Sequence, residues 1–211
     1  PSTFIGTGSP MPEPQSAIGV LLMAHGTPES VDQMPEYLRH VRGGREPSAE
    51  LIAEMTHNWG SIGGRSPLTD ITLRQGQELR KQLAVEGLNM PVAVGMRNWR
   101  PFIAEALREL SAAGVRRIIG IPLTPQFSTL SVQKYLDAAK AALPEGAELT
   151  CVRSFHAHPL LIDAFAEKVR AEEPRTGEDV VFTAHSLPQR VAAAGDPYPE
   201  EVAATARAVA D

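Results

Sequence analysis

The sequence predicts an α/β protein built on doubly wound parallel sheets. Three observations lead there. From Pro91 onward, short apolar runs alternate with amphipathic stretches of helical period. Strands alternating with helices imply parallel strands joined by right-handed crossovers. The first apolar run, "IGVLLMA" at 18–24, has no polar face, as a strand buried on both sides requires. Finally, one template occurs twice. "VLLMAHGTP" at 20–28 and "VVFTAHSLP" at 180–188 each carry an apolar run, Ala-His, a small residue, a spacer and Pro. Such a repeat presents a histidine at the end of a strand in each copy.

Each element has its own justification. Residues 1–16, rich in Pro, Ser and Gly, read as a mobile tail. The strand at 18–24 is followed by a helix over "PEYLRHV" (35–41), with Pro tolerated in its first turn and Gly43-Gly44 ending it. A second helix starts at the Ser48 cap. "NWGSIGGRSPLT" (58–69) is a glycine-rich loop, and an amphipathic helix runs from Asp70, capped by Asp70 or Thr69. Then follow strand 91–97, helix 101–113, strand 115–123, helix 131–143, strand 147–155, helix 159–172, strand 179–186 and a helix from Pro199.

The repeat continues past its histidines. "SPLTDITLRQGQEL" follows the first and "DPYPEEVAATARAV" the second, each a proline turn with an acid leading into a helix. Residues 17–155 are therefore expected to form one complete domain. Residues 156–211 read as the start of a second, similar domain, with its remainder expected outside this chain.

Composition narrows the function. The 211 residues carry a formal net charge of −5, which gives no footprint for nucleic acid. The single cysteine, Cys151, forms neither an internal disulfide nor a cysteine metal cage. It reads as a structural thiol and fits a reducing, cytoplasmic setting. No apolar run approaches the roughly 20 residues of a transmembrane helix, and no signal-peptide layout opens the sequence.

In open α/β sheets ligands bind beyond the carboxyl ends of the strands. His25 and His185 both fall there. A neutral imidazole binds a borderline divalent metal or takes a proton, and its unperturbed pKa near 6.5 suits both. Loops at the same end supply Arg42 and Arg45; Arg97, Trp99 and Arg100; and Phe127, Ser128, Ser131 and Tyr135. Apolar surface flanked by arginines and hydroxyls suits a flat apolar ligand with carboxylates at its rim. A histidine fixed by hydrogen bonds, arginines in solvent and aromatics in the core fit the same residues, and the pattern alone leaves both readings open.

Five segments carry a resemblance: "LLMAHGTP", "RGGREP", "IGGRSPLTDIT", "PLTPQFSTLSVQKY" and "TAHSLPQRVAAAGDPYP". In this order and spacing the sequence resembles the ferrochelatases over residues 17–211. The resemblance implies two similar Rossmann-like, chelatase-like domains with a porphyrin in the cleft between them. It implies insertion of Fe²⁺ into protoporphyrin IX or coproporphyrin III, in haem biosynthesis. His185, the histidine of "AHSLP", is implied as metal-handling residue and proton acceptor. His25 stands where bacterial relatives usually carry Tyr. Gly43 stands where many relatives have a second adjacent Arg. Arg42, Arg45 and Ser66, with Ser128 and Tyr135, are the substrate-binding candidates. The acidic partner of His185 is expected in a second half that this chain lacks, so the chain alone is expected to be inactive. Ferrous iron is expected as a substrate, with no tightly bound cofactor. The alternatives are a chelatase for another metal and tetrapyrrole, such as cobalt, or a non-catalytic porphyrin- or haem-binding protein.

Overall fold

The apolar run at 18–24 becomes the centre of a four-stranded parallel sheet. A computed structural model describes residues 17–175 and 177–211; the tail read at 1–16 lies outside the described residues. Strand β1 (Ala17–Ala24) pairs with β2 (Val92–Met96) on one side and with β3 (Val115–Pro122) on the other. Strand β4 (Glu148–Cys151) adds to β3, giving the order β2-β1-β3-β4. Chain order reverses around β1, so the crossovers lie on opposite faces and the sheet is doubly wound.

The alternation of β1 assigns its side chains to two cores. Leu21 and Met23, both fully buried, face helices α4 (Ile103–Ala112) and α5 (Val132–Ala141). The spacing of Ile103, Ala106, Leu107 and Leu110 puts one apolar stripe of α4 into that core, and Val132, Tyr135, Leu136 and Ala139 do the same for α5. Val20 and Leu22 face the other way, with Val92 and with Leu79 and Leu83 of α3 (Leu68–Val85). Each fully buried aliphatic side chain contributes about 1.5–3 kcal/mol of transfer free energy. Helix α4 comes unusually close to β2, because a Cβ on Gly95 would stand 2.7 Å from the Ile103 Cα. Along the outer edge of β2, Arg80 Nη2 donates to the Val92 carbonyl at 2.5 Å, which blunts an otherwise open edge.

A smaller cluster covers the carboxyl end of the sheet. Helices α1 (Met34–Val41) and α2 (Ala49–Ser61) bring Met34, Tyr37 and Leu38 against Trp99, with Leu51, Ile52, Met55 and Trp59 packed behind. Ser48 caps α2 as its sequence suggests, accepting from the Leu51 N–H at 3.3 Å. Helix α3 starts two residues earlier than Asp70, at Leu68, because the Ser66 hydroxyl accepts the Leu68 N–H at 3.2 Å.

Two strand expectations need correction. Strand 147–155 stops at Cys151. Val152 N still donates to Gly120 O at 2.9 Å, but the next ladder bond needs an N–H from Pro122, which has none. The expected strand at 179–186 does not form a strand, and Val181 is 78% exposed. A strand needs a neighbour to take its N–H and C=O groups, and among the described residues none lies alongside. Around this segment stand α6 (Pro159–Ala171), α7 (Gln189–Ala193) and α8 (Tyr198–Ala210), with α6 and α8 in mutual contact. Among the described residues no helix is long and apolar enough to cross a membrane.

Candidate functional site

The topological switch point lies between the carboxyl ends of β1 and β3. His25 is the first residue beyond β1. Its backbone is held from β2, where Arg97 N donates to Ala24 O and Asn98 N donates to His25 O, both at 2.9 Å. The turn that follows requires glycine. Gly26 has φ +82°, and a Cβ there would meet the Trp99 backbone N at 2.8 Å and the Met96 Cβ at 2.9 Å.

The His25 ring is half-buried and partnered. Its Nε2 lies 3.0 Å from the Tyr37 hydroxyl, and the Asn98 side-chain nitrogen lies 3.2 Å from each ring nitrogen. Tyr37 is itself buried and meets His25 edge-on at 6.3 Å between ring centres. Burial, and secondly the nearby Arg97 guanidinium, hold the imidazole pKa below its usual 6.5. Burial thus favours the neutral ring, whose single lone pair lies within reach of the Asn98 amide and the Tyr37 hydroxyl. Arg97 also lies near Tyr135, whose phenol is pushed up by burial despite Arg97 and a bond to Thr124, which act to lower it. Among the described residues Arg97 makes no ion pair.

Among the described residues four buried polar atoms have no protein partner: Thr27 Oγ1, Arg42 Nε, Trp59 Nε1 and Ser131 Oγ. Thr27 follows β1, Ser131 precedes α5, and Arg42 and Trp59 end or sit in the two helices that cover the sheet end. Buried polar atoms are ordinarily satisfied, so these are the atoms with capacity left for a ligand or water.

The other substrate-binding candidates are placed differently. Arg45 is exposed, and its Nε donates to the Arg42 carbonyl at 3.1 Å. Ser66 is occupied in starting α3. Ser128 is fully buried; its hydroxyl donates to Asp196 Oδ2 at 3.2 Å and accepts the Leu130 N–H at 3.1 Å. Its role is in the loop's own structure, which withdraws it from the ligand-facing set. Tyr135 is 4% exposed and belongs to the core beneath the site. Cys151 is half-buried, packed against that core, and its thiol pKa is raised by burial.

His185 is exposed, and no hydrogen bond joins it to His25 among the described residues. The residues just before it, Phe182, Thr183 and Ala184, border an apolar cavity of about 230 Å³ shared with Phe165 and Val202. The structure thus gathers His25, Arg97 and the unpartnered atoms around the sheet end, and leaves His185 on an open surface.

Sequence reasoning missed several residues. Asn98 and Tyr37 frame His25 but read as ordinary loop and helix residues. Asp196, 5% exposed, accepts from Thr129 N at 2.8 Å, Thr129 Oγ1 at 2.7 Å, Ser128 Oγ at 3.2 Å and Tyr198 N at 3.1 Å. Burial alone would push its carboxyl up. The bonds from Thr129, Tyr198 and Ser128 outweigh that and hold it below the usual range. The only signal was its place in "GDPYP". Among the described residues no group of three or more His, Cys, Asp or Glu is arranged to hold a metal ion.

Compared with known proteins, residues 17–211 match the family model described as ferrochelatase. The chain is 40% identical over 205 residues to the ferrochelatase of Deinococcus radiodurans, covering 93% of this chain and 65% of that protein. It is 37% identical over 204 residues to the coproporphyrin III ferrochelatase of Geobacillus sp., covering 92% and 66%. It is 43% identical over 187 residues to the ferrochelatase of Acidobacterium capsulatum, covering 86% and 56%. The chain spans just under two thirds of the length of the first two relatives.

Proposed function

Because the chain belongs to the ferrochelatase family, we propose that the protein inserts Fe²⁺ into a porphyrin, protoporphyrin IX or coproporphyrin III, for haem synthesis. The observation that carries this reading is the switch point. A half-buried histidine with a lowered pKa stands at the end of β1, near an Arg97 that makes no ion pair among the described residues, and the following Thr27 has an unpartnered buried hydroxyl. That arrangement suits a flat macrocycle whose carboxylates need cations and whose nitrogens face an imidazole.

Metal insertion needs two pyrrole protons removed and the iron stripped of water. In this reading His185 accepts protons and handles the metal. His25 approaches from the first unit, and the segment from 156 opens the second. Arg42 and Arg97 grip carboxylates, with Arg45 and Ser66 at the rim. The glycine-rich stretch at 62–64 lets backbone come close to the ring. Iron enters as a substrate, and no tightly bound cofactor belongs to the scheme. We place the reaction in the cytoplasm and assign no nucleic-acid partner; the single cysteine and net charge of −5 support this.

The test is to follow loss of porphyrin fluorescence as Fe²⁺ enters, in the full-length protein and in His185→Ala. Turnover in the parent that collapses in the variant supports the reading. Unchanged turnover in the variant removes His185 from the mechanism.

One observation favours a second reading. An imidazole at position 25 is a better ligand for borderline metals than a phenol. The same assay with Co²⁺ in place of Fe²⁺ separates the two, because preferred insertion of cobalt would reassign the metal.

A further inference from the structure

The loop from Leu123 to Ser131 leaves β3 at the switch point, yet its backbone is held from outside. Phe127 N donates to Glu201 Oε2 at 2.6 Å and Thr129 N donates to Asp196 Oδ2 at 2.8 Å. Thr129 Oγ1 and Ser128 Oγ also donate to Asp196, and Gln126 Nε2 donates to Thr205 Oγ1 at 3.1 Å. Ser154, just beyond β4, brings its hydroxyl to 2.8 Å from the same Glu201 oxygen. Two carboxylates from one short stretch, 196–201, thus take the alternate N–H groups of this loop. Backbone donors on carboxylates form charge-assisted bonds, roughly twice as strong as neutral ones.

What the loop delivers is the start of α5. Ser131 is its cap residue, with a buried and unpartnered hydroxyl, and Tyr135 follows one turn later beside Arg97. A loop held at Phe127 and Thr129 fixes where that hydroxyl stands relative to Arg97 and His25. The stretch that holds it follows His185 directly through the short helix α7, so one segment carries the second histidine and grips the first unit's binding loop.

We propose that Asp196 and Glu201 are positioning residues: they clasp the β3–α5 loop and thereby set where Ser131 presents its unpartnered hydroxyl at the start of α5, with Tyr135 packed in the core beneath it. Neither carboxylate touches the reacting atoms. Their oxygens are engaged by loop donors and act through them. The role rests on the porphyrin reading for its ligand, while the clasp itself has a readout that needs no porphyrin.

The experiment uses the full-length protein and the variants Asp196→Asn, Glu201→Gln and Thr129→Val. Hydrogen exchange at the amides of residues 126–131 reads the clasp, and fluorescence titration with coproporphyrin III and with protoporphyrin IX reads its consequence. The expected result is faster loop exchange in all three variants. Porphyrin Kd and KM should rise about tenfold for Asp196→Asn, with kcat within about twofold of the parent. Asp196→Asn combined with Thr129→Val should be little worse than Asp196→Asn alone, because both cut the same contact. Thr129→Val keeps both carboxylates and so tests the contact even where a carboxylate variant folds poorly. Loop exchange that speeds up while porphyrin affinity and KM stay at the parental value overturns the positioning role. A fall in kcat at constant KM also overturns it. A parent protein that binds neither porphyrin removes the functional reading and this role together; a parent that binds while the variants bind equally well removes the role alone.

Discussion

His25 and His185 come from the same sequence template and end in opposite circumstances. His25 closes a strand paired on both sides, between a buried Tyr37 and a buried Asn98. His185 follows a segment with the same apolar pattern but, among the described residues, no ladder, and there Val180 is 47% and Val181 78% exposed. The difference teaches that a strand pattern specifies which faces will be buried, whereas the neighbours decide whether they are. The first unit supplies those neighbours from residues 17–151, and its histidine is preorganised. Among the described residues, the second copy has the carboxylate clasp and the α6–α8 pair to stand against.

The contrast can be broken in several ways. The largest expected effect is catalytic. His185→Ala in the full-length protein should lower kcat by about 10²-fold or more, the range for losing a general base, while porphyrin binding persists; single-turnover fluorescence reads both. Next comes packing. Met23→Ala empties a fully buried position in the central strand and should destabilise by about 2–5 kcal/mol in urea unfolding of this chain. Val181→Ala, in the matching strand pattern, should stay within about 0.5 kcal/mol. Equal costs at the two positions would erase the distinction. Gly26→Ala should follow at about 1–3 kcal/mol, because φ is +82° and the added Cβ meets the Trp99 backbone.

The smallest effect is on pH dependence. The folded pKa of His25 lies below 6.5, its unfolded value. Between 6.5 and the folded value the unfolded chain takes up a proton that the native site refuses. Stability therefore falls as pH drops through that window, with a slope of at most about 1.4 kcal/mol per pH unit. His25→Gln should flatten this part of the profile in urea melts between pH 7.5 and 5. Asp196 acts lower down. Its depressed pKa contributes stability that is present above 3.8 and lost as pH falls through the folded value.

Much of the first unit was legible because its signals are local. The unbroken apolar run of β1, the i, i+3, i+4, i+7 stripe of α4 and the Ser48 cap each fix an element from neighbouring residues. The failures are non-local. Pro122 ends β4 by withholding a donor from a strand distant in sequence. Residues 179–186 have strand chemistry but, among the described residues, no partner to pair with. Ser128 looked available in a hydroxyl-rich loop, yet Asp196 draws it inward from far along the chain. The candidate site divides in the same way. The position of His25 followed from strand-end logic, whereas Asn98, Tyr37 and the clasp of Asp196 and Glu201 exist only once the sheet has brought them together.

The most direct test of the central claim, that a tetrapyrrole lies against the end of β1, is the NMR signal of the His25 imidazole during porphyrin titration of the full-length protein. A macrocycle stacked at the switch point should displace the ring-proton resonances of His25 strongly through its ring current, with saturation at one equivalent. Saturable porphyrin binding that leaves those resonances unmoved would put the ligand elsewhere and contradict the account.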